Sequence, residues 1–476
     1  MNQNDKYMSP FSERYASKEM QYLFSANKKY STWRRLWVAL AEAEKELGIK
    51  QITDEMIKEM KSHIEDIDYE LANKYEEKLR HDVMAHIHAY GDQCPTAKGI
   101  IHLGATSCYV GDNADIIIMK EALLLLKKKL VNLINNLANF ALKYKDVPTL
   151  AYTHFQAAQP TTVGKRASLW LHDFIIDLED LEYVVNSLKL LGSKGTTGTQ
   201  ASFVELFNDK EAPVKLDKLI ANKMGFKDTY PVSGQTYTRK IDCRIYNVLA
   251  SIATSASKMA NDIRLLQHEK EIEEPFESSQ VGSSAMPYKR NPMRSERIAS
   301  IARYVISNMN NPYITASSQW LERTLDDSAN RRIVLSEGFL GADGILDLCI
   351  NITEGLVVNQ KVIEKNLNEE LPFMITENIL MDQVKEGGNR QELHEEIRKL
   401  SMEASKRVKE EGLDNDLYSR ILASNKFKIS NDKDYLNPNK YIGLANEQVT
   451  SFINAIVNPI LEKNKDLLGI KIKINK

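Results

Sequence analysis

The sequence predicts an all-α protein built around a central bundle of five long helices. Residues 112–145 contain no Gly or Pro, and apolar residues recur along the whole stretch, which predicts a helix about 45–50 Å long. Comparable stretches follow at 161–191, 240–272, 293–311 and 328–358. Helices of this length with broad apolar faces favour a bundle. Because such faces are hard to cover within one subunit, we also expect an oligomer.

Composition and charge narrow the class of protein. The chain has 476 residues, of which 43% are hydrophobic and 27% charged, which is ordinary for a globular protein of two or three domains. With 63 basic and 65 acidic residues the formal net charge is −2, so nothing favours general binding to nucleic acid or to a membrane. The scattered cysteines predict free thiols in a reducing compartment. Together with a polar N-terminus unlike a signal peptide, this predicts a cytoplasmic protein.

The first part of the chain, residues 10–105, reads as a small helical domain. Apolar residues from Trp33 to Ala43 follow helical spacing, and Gly48 is expected to end that helix. The pair Arg14-Tyr15 precedes it; taken alone, the pair reads as an exposed arginine beside a packing tyrosine.

Three histidines lie between Arg80 and His88, which raises the question of a zinc site. On a helix, His81 and His88 share a face, but His86 points away from it. The segment has no HExxH motif and no cysteine pair nearby. We therefore expect no metal here.

The segment 102–107 precedes the first long helix. Gly104 allows close backbone approach, and the hydroxyls of Thr106 and Ser107 can bind a carboxylate. A hydroxyl residue at this place is more often a helix N-cap, and both roles are compatible.

Three further segments hold candidate polar groups. His154 lies just before the second long helix, at the expected edge of a cleft, although the residue alone slightly favours a structural histidine. The glycine-rich segment 192–199 lacks the ordered pattern of a phosphate-binding loop. The amide of Gln235 can both donate and accept hydrogen bonds, which suits the edge of a base or a carboxylate. The alternative is an ordinary surface amide in a turn.

Residues 271–294 are predicted to be a loop, because Gly282, Pro287 and Pro292 cannot continue the flanking helices. Its chemistry lies in two hydroxyls that can act as a base or nucleophile and in groups that stabilise negative charge. These groups are Ser283, Ser284, Lys289, Arg290 and Asn291. Without further information, a mobile polar surface loop is the simpler reading.

Beyond this loop, arginines occur at the starts of two predicted helices, at Arg297 and in the segment 323–332. Such runs usually form solvated, ion-paired faces. Residues 359–476 read as a further helical region, and the alternation at 470–475 predicts a short strand.

The segment from Ser283 to Pro292 resembles the signature loop of the fumarase/aspartase superfamily of elimination lyases, in the form found in its adenylosuccinate lyase branch. The resemblance covers nearly the whole chain. It includes RHDVMAH at 80–86, GATS at 104–107, T-H-x-Q at 153–156 and KGTTGTQASF at 194–203. One departure is Ala157, where the family usually has proline.

This resemblance implies a three-domain fold and a set of roles. The expected domains are 1–111, 112–358 with its signature loop at 277–294, and 359–476, in a tetramer whose active sites are shared between subunits. The implied catalytic residues are Ser283 as the base (Ser284 being the alternative), His154 as the proton donor, Lys289 and Asn291. The implied substrate-binding residues are Arg14, Tyr15, Arg80, His81, Asp82, Thr106, Ser107, Gln235, Arg297, Arg323, Ser328 and Arg332.

The implied activity is β-elimination of fumarate from adenylosuccinate, giving AMP, and from succinyl-aminoimidazole-carboxamide ribotide. No metal or organic cofactor is required, and the only expected partners are small nucleotides and copies of the chain. Fumarase, aspartase or argininosuccinate lyase activity is the alternative within the superfamily, but those substrates lack a nucleotide. A non-catalytic helical scaffold and an RNA-binding protein are less favoured, because the catalytic residue types are intact and the charge is balanced.

Overall fold

The computed structural model describes residues 5–277, 285–429 and 434–474. Within these ranges the predicted all-α class is confirmed, and no helix is long and apolar enough to cross a membrane. The helices are α1 Lys18–Leu23, α2 Ala26–Glu46, α3 Asp54–Ser62, α4 Tyr69–Leu79, α5 Asp82–Gln93, α6 Ser107–Lys143, α7 Val163–Ser187, α8 Ala201–Phe207, α9 Ala212–Lys223, α10 Lys240–His268, α11 Met293–Ser307, α12 Asn310–Ser317, α13 Asp327–Gly355, α14 Gln360–Met374, α15 Thr376–Lys385, α16 Arg390–Glu411, α17 Leu417–Ala423, α18 Ala445–Phe452 and α19 Asn458–Lys463. The strands are β1 Pro148–Thr153, β2 Gln156–Thr162, β3 Ile272–Glu273 and β4 Val357–Val358.

The five predicted long helices are α6, α7, α10, α11 and α13, which pack against one another as a bundle. The longest, α6, has 37 residues and is therefore about 55 Å long. Its buried face carries a continuous series of Leu, Ile, Val and Ala side chains. The polar loops of the molecule connect the helices of this packed bundle.

Glycines inside α13 allow unusually close packing. A Cβ on Gly338 would lie 2.6 Å from the Tyr246 ring, and one on Gly344 would lie 2.8 Å from the Tyr15 carbonyl oxygen. A helix-interior glycine is unfavourable by about 1 kcal/mol relative to alanine, so these glycines contribute through close packing rather than through helix stability. The contact at Gly344 fixes the N-terminal segment against the bundle.

Two features differ from the sequence-based expectations. Residues 148–162 form an antiparallel hairpin of β1 and β2, which the sequence reading left unassigned. The strand predicted at 470–475 is wrong for residues 470–474, which pair with no strand. Instead, Ile470, Ile472 and Ile474 pack against the main core, so their apolar pattern reflects burial.

The C-terminal region contains a second hydrophobic core, separate from that of the bundle. It is formed by α14–α17 and the chain after them, with Leu371, Ile379, Leu417 and Tyr435 among its buried members. Beyond it, α18 returns to the main core through Val449. The division of the chain at 111/112 and 358/359 stays a prediction.

Candidate active site

A cleft of about 720 Å³ opens between α2, the α4–α5 junction and the N-terminal ends of α6 and α13. Its walls carry many of the predicted substrate-binding residues, which lie far apart in sequence. Those at the cleft are Arg80, His81, Asp82, Ser107, Arg323, Ser328 and Arg332. The fold therefore brings seven of the predicted residues to one place.

The α4–α5 junction presents its three polar residues through a sharp turn. Arg80 ends α4 in the left-handed region (φ 53°), a strained conformation for a residue with a side chain. His81 caps α5, because its Nδ1 accepts a hydrogen bond from the Met84 amide at 3.3 Å. The ring proton is then on Nε2, which lies 3.4 Å from Ser107 Oγ. His81 is thus held as a donor at the cleft wall.

The start of α6 borders the same cleft through Ser107 and Cys108. Thr106 occupies the N-cap position, yet its side chain accepts no capping hydrogen bond from the helix. The sequence analysis allowed both capping and carboxylate binding; the hydroxyl does not cap α6, and carboxylate binding stays a prediction. Free amides at a helix N-terminus also favour an anion.

Gln235 joins three loops beside the cleft. Its side-chain amide donates to the Thr196 carbonyl at 3.1 Å, and its backbone amide donates to the Glu322 carbonyl at 3.0 Å. Its side-chain oxygen accepts a hydrogen bond from the Cys108 thiol at 3.4 Å. The contact between these loops also requires Gly198, where a Cβ would lie 1.9 Å from the Ser233 carbonyl oxygen. These hydrogen bonds hold Gln235 in place between the loops, so it is not a mobile surface amide.

Behind Arg323 lies a buried network of ion pairs that the sequence reading missed. Arg323 Nη1 contacts both oxygens of Asp327, at 2.9 and 3.1 Å. Asp327 also accepts from Arg239 Nε at 2.7 Å, and Arg239 donates to Asp112 at 2.9 and 3.3 Å. A charged residue at the start of a predicted long helix, Asp112, was the available sign of this network. It cannot be paired with its partners from sequence spacing alone.

A second cluster collects Arg14, Tyr15 and Arg297 away from this cleft. The Arg297 guanidinium lies 5.6 Å from the Tyr15 ring centre, and all three residues surround a small cavity near Gly344. Along α13, Gly344 is about 18 Å from Arg332. Within one subunit, these three predicted residues do not meet the other seven.

His154 lies on a different element again, at the tip of the β1–β2 hairpin. His154 and Phe155 form its two-residue turn, with φ values of 54° and 55°. Asn or Gly normally occupies such positions, and each side chain there adds strain of roughly 1–3 kcal/mol. The hairpin packs against α14 and α7 and presents His154 to solvent. A strained, exposed histidine is better explained by function than by folding.

The predicted signature loop is described from residue 285 onward. Ser283 and Ser284 lie outside the described residues. Lys289 is exposed, and its amide donates to the Met286 carbonyl at 2.9 Å. The Asn291 carbonyl accepts from the Met293 amide at 2.8 Å, at the start of α11.

The loop is anchored at that helix by Glu274. Its carboxylate accepts hydrogen bonds from the Arg294 and Ser295 amides, each at 3.0 Å. Burial raises the pKa of Glu274, and these bonds oppose that shift. The capped start of α11 therefore anchors the end of the loop segment that carries Lys289 and Asn291.

The long-helix bundle and this distribution of polar residues define a member of the elimination lyases. A family model described as "Lyase" matches residues 1–307. The fold is similar to 3-carboxy-cis,cis-muconate lactonizing enzyme from Pseudomonas putida (TM-score 0.81, 20% identity, 97% of this chain and 99% of that chain). It is also similar to fumarate lyase from Mesorhizobium sp. BNC1 (TM-score 0.78, 22% identity, 94% and 99%).

More specific similarities concern both halves of the chain. A model described as "Adenylosuccinate lyase C-terminus" matches residues 372–452. The chain is 52% identical to adenylosuccinate lyase of Saccharomyces cerevisiae, with 99% of each chain covered, and 51% identical to that of Schizosaccharomyces pombe, with 98% covered. It is 48% identical to that of Schistosoma mansoni over the full length of both. The chain belongs to the adenylosuccinate lyase family.

Proposed function

We propose that the protein cleaves adenylosuccinate to AMP and fumarate, and cleaves succinyl-aminoimidazole-carboxamide ribotide in the same way, in purine nucleotide biosynthesis. The observation that carries this proposal is the cleft itself. It joins guanidinium groups at Arg80, Arg323 and Arg332 to hydroxyl and helix-end donors at Ser107 and Ser328. These groups suit a ligand with one phosphate and two carboxylates.

The reaction breaks a C–N bond after loss of a proton from the neighbouring carbon. Ser283 is the proposed base, with Ser284 as the alternative. A serine acts as a base only if positive potential stabilises its alkoxide, which is the proposed task of Lys289. Proton loss places a second negative charge on the adjacent carboxylate, and Asn291, Thr106 and Ser107 are the proposed donors to it.

His154 completes the step by giving a proton to the departing purine-side nitrogen. The electron pair of the broken C–H bond becomes the double bond of fumarate, and that of the C–N bond stays on the nitrogen. Each acid–base partner is typically worth about 10²–10⁴-fold in rate. His154 is exposed at a tight turn, so it can enter a cleft formed by another copy of the chain.

We further propose a homotetramer whose active sites combine residues from different subunits. Support comes from the separation along α13 of about 18 Å between the cleft at Arg332 and the cluster at Arg14 and Tyr15. A site that needs all of these residues is incomplete in one subunit. Mixing two inactive variants, His154→Asn and Arg332→Gln, should restore part of the activity if sites are shared.

The compartment we propose is the cytosol. The four cysteines are buried free thiols, and thiols persist in this state in a reducing environment.

The direct test is to mix the protein with adenylosuccinate and follow the ultraviolet change on conversion to AMP. Argininosuccinate and fumarate serve as comparison substrates. Conversion of either of these without conversion of adenylosuccinate would overturn the proposal.

A further inference from the structure

Lys29 is a cleft residue to which neither the sequence reading nor the comparisons give a role. It lies on α2 and lines the same cleft as Ser328 and Arg332. Among the residues that the structure describes, no carboxylate lies within ion-pair distance of its ammonium group. Its neighbour Lys28 differs, because Lys28 Nζ pairs with Glu121 at 2.5 Å. Two adjacent lysines thus have different environments, and only Lys29 borders the cleft.

Aromatic rings hold the Lys29 side chain in place. Its Nζ lies 5.1 Å from the centre of the Tyr30 ring and 4.9 Å from that of Trp33. Cation–π contacts of this kind are stronger where the cation is partly desolvated. Desolvation by burial lowers the pKa of Lys29, and Arg332 adds to that effect, while Asp115, Asp82 and Glu76 oppose it. An anionic ligand would offset the cost of this desolvation by its attraction to the ammonium group.

Two of the three acidic groups that act electrostatically on Lys29 already pair with arginines. Asp115 pairs with Arg331 at 2.9 Å, and Asp82 pairs with Arg332 at 3.4 Å. Glu76, the third acidic group that faces Lys29, is exposed to solvent at the end of α4. The cleft therefore contains an ammonium group for which two of three acidic neighbours already pair with arginines.

The start of α13, which lines the same cleft, has the features of a phosphate site. Ser328 lies in the first turn of α13, a helix of 29 residues, and Arg332 follows one turn later. Helix N-termini favour anions because their amides are free and the helix dipole is positive there. A phosphate monoester carries nearly two negative charges, and lysine binds phosphate as a point charge beside the planar fork of an arginine.

We propose that Lys29 is a phosphate-binding residue, which contacts the 5′-phosphate of the nucleotide substrate together with Ser328 and Arg332. This inference rests on the proposed function. It differs from that function in assigning a substrate contact to α2, whose other cleft residue, Trp33, is aromatic.

The experiment compares Lys29→Gln, Lys29→Arg and the matched control Lys28→Gln with the unmodified protein. Inhibition constants of AMP and fumarate are measured against adenylosuccinate turnover, and AMP binding is also measured by calorimetry. For Lys29→Gln we expect AMP binding to weaken about 10-fold or more, the size typical of a lost hydrogen bond to a charged group. Fumarate inhibition should stay within about twofold, because fumarate has no phosphate.

The controls separate contact from structure. Lys29→Arg should recover most of the AMP affinity, and Lys28→Gln should leave it unchanged. Unchanged AMP affinity in Lys29→Gln, a loss confined to fumarate, or an equal loss for both products would each overturn the proposal. If the unmodified protein fails to convert adenylosuccinate, the proposed function fails, while calorimetry with AMP still decides the role of Lys29.

Discussion

Glu44 provides the sharpest test of how burial acts in this molecule. It lies on α2 with 0% exposure, and within the described part of the chain neither of its carboxylate oxygens has a hydrogen-bond partner. Burial raises the pKa of Glu44 from 4.5 to about 9. The side chain is therefore protonated in the folded protein at neutral pH, whereas it is ionised in the unfolded chain.

This difference makes the free energy of unfolding depend on pH. Between pH 4.5 and 9 the folded state holds one proton more than the unfolded state, so stability falls as pH rises. The loss is about 1.4 kcal/mol per pH unit, or roughly 3 kcal/mol by pH 7. Glu44→Gln keeps the shape of the neutral side chain and removes the loss. An entropy of unfolding near 2 cal/mol/K per residue converts this to a Tm about 3 °C higher at pH 7.

The assay is thermal unfolding of the protein and of Glu44→Gln at pH 5.5, 7.0 and 8.5. The Tm difference should rise from about 1 °C to about 5 °C over this range. Glu46→Gln is the matched control, because Glu46 is exposed on the same helix and pairs with Lys223 at 2.6 Å. A Tm difference that does not grow with pH would refute the reasoning.

Three further predictions concern activity and acid stability. His154→Asn should lower kcat about 10²–10⁴-fold without lowering Tm, because Asn removes the acid yet tolerates a positive φ; steady-state kinetics with a melting curve checks both. Gly198→Ala should raise KM about 10-fold or more, since its Cβ would meet the Ser233 carbonyl, whereas Gly99→Ala, with nothing within 4 Å of its Cβ, should not. Burial, with nearby cations, lowers the pKa of His86 from 6.5 to about 4, so stability falls as pH drops through that window. In His86→Phe the free energy of unfolding should lose about 2 kcal/mol less than in the unmodified protein between pH 7 and pH 5. The measurement is Tm of both proteins at the two pH values.

The long helices could be predicted because their pattern is local. The prediction of 240–272 overran α10, which ends at His268, because β3 follows at once and pairs with β4. That pairing depends on residues distant in sequence. The prediction of 112–145 began five residues late, because α6 begins at Ser107 and runs through Gly111, where a Cβ would have open space around it.

In the candidate site, too, some residues could be predicted from local sequence and others could not. The motif at 80–82 and the segment 323–332 were identified from sequence, and the structure brings them to one cleft. Arg239 and Asp327, in contrast, matter only through each other, since their 2.7 Å contact joins two helix ends 88 residues apart. Lys29 belongs to no sequence motif. Only the structure shows that two acidic residues near it, Asp115 and Asp82, pair with arginines instead.

The buried carboxylate of Asp327 orients the cleft residue Arg323 and leaves part of its guanidinium group free to contact a ligand. A buried ion pair adds little net stability, because desolvation offsets the attraction between the charges. Asp327 accepts hydrogen bonds from both Arg323 and Arg239, and Arg239 has Asp112 as a second partner. The bonds of Asp327 to Arg323 use Nη1 alone, and within the described residues the Nε and Nη2 donors of Arg323 are left to bind a ligand. The network therefore fixes the direction of the Arg323 guanidinium group and leaves two of its donor nitrogens for a ligand, which suits recognition of a polyanion.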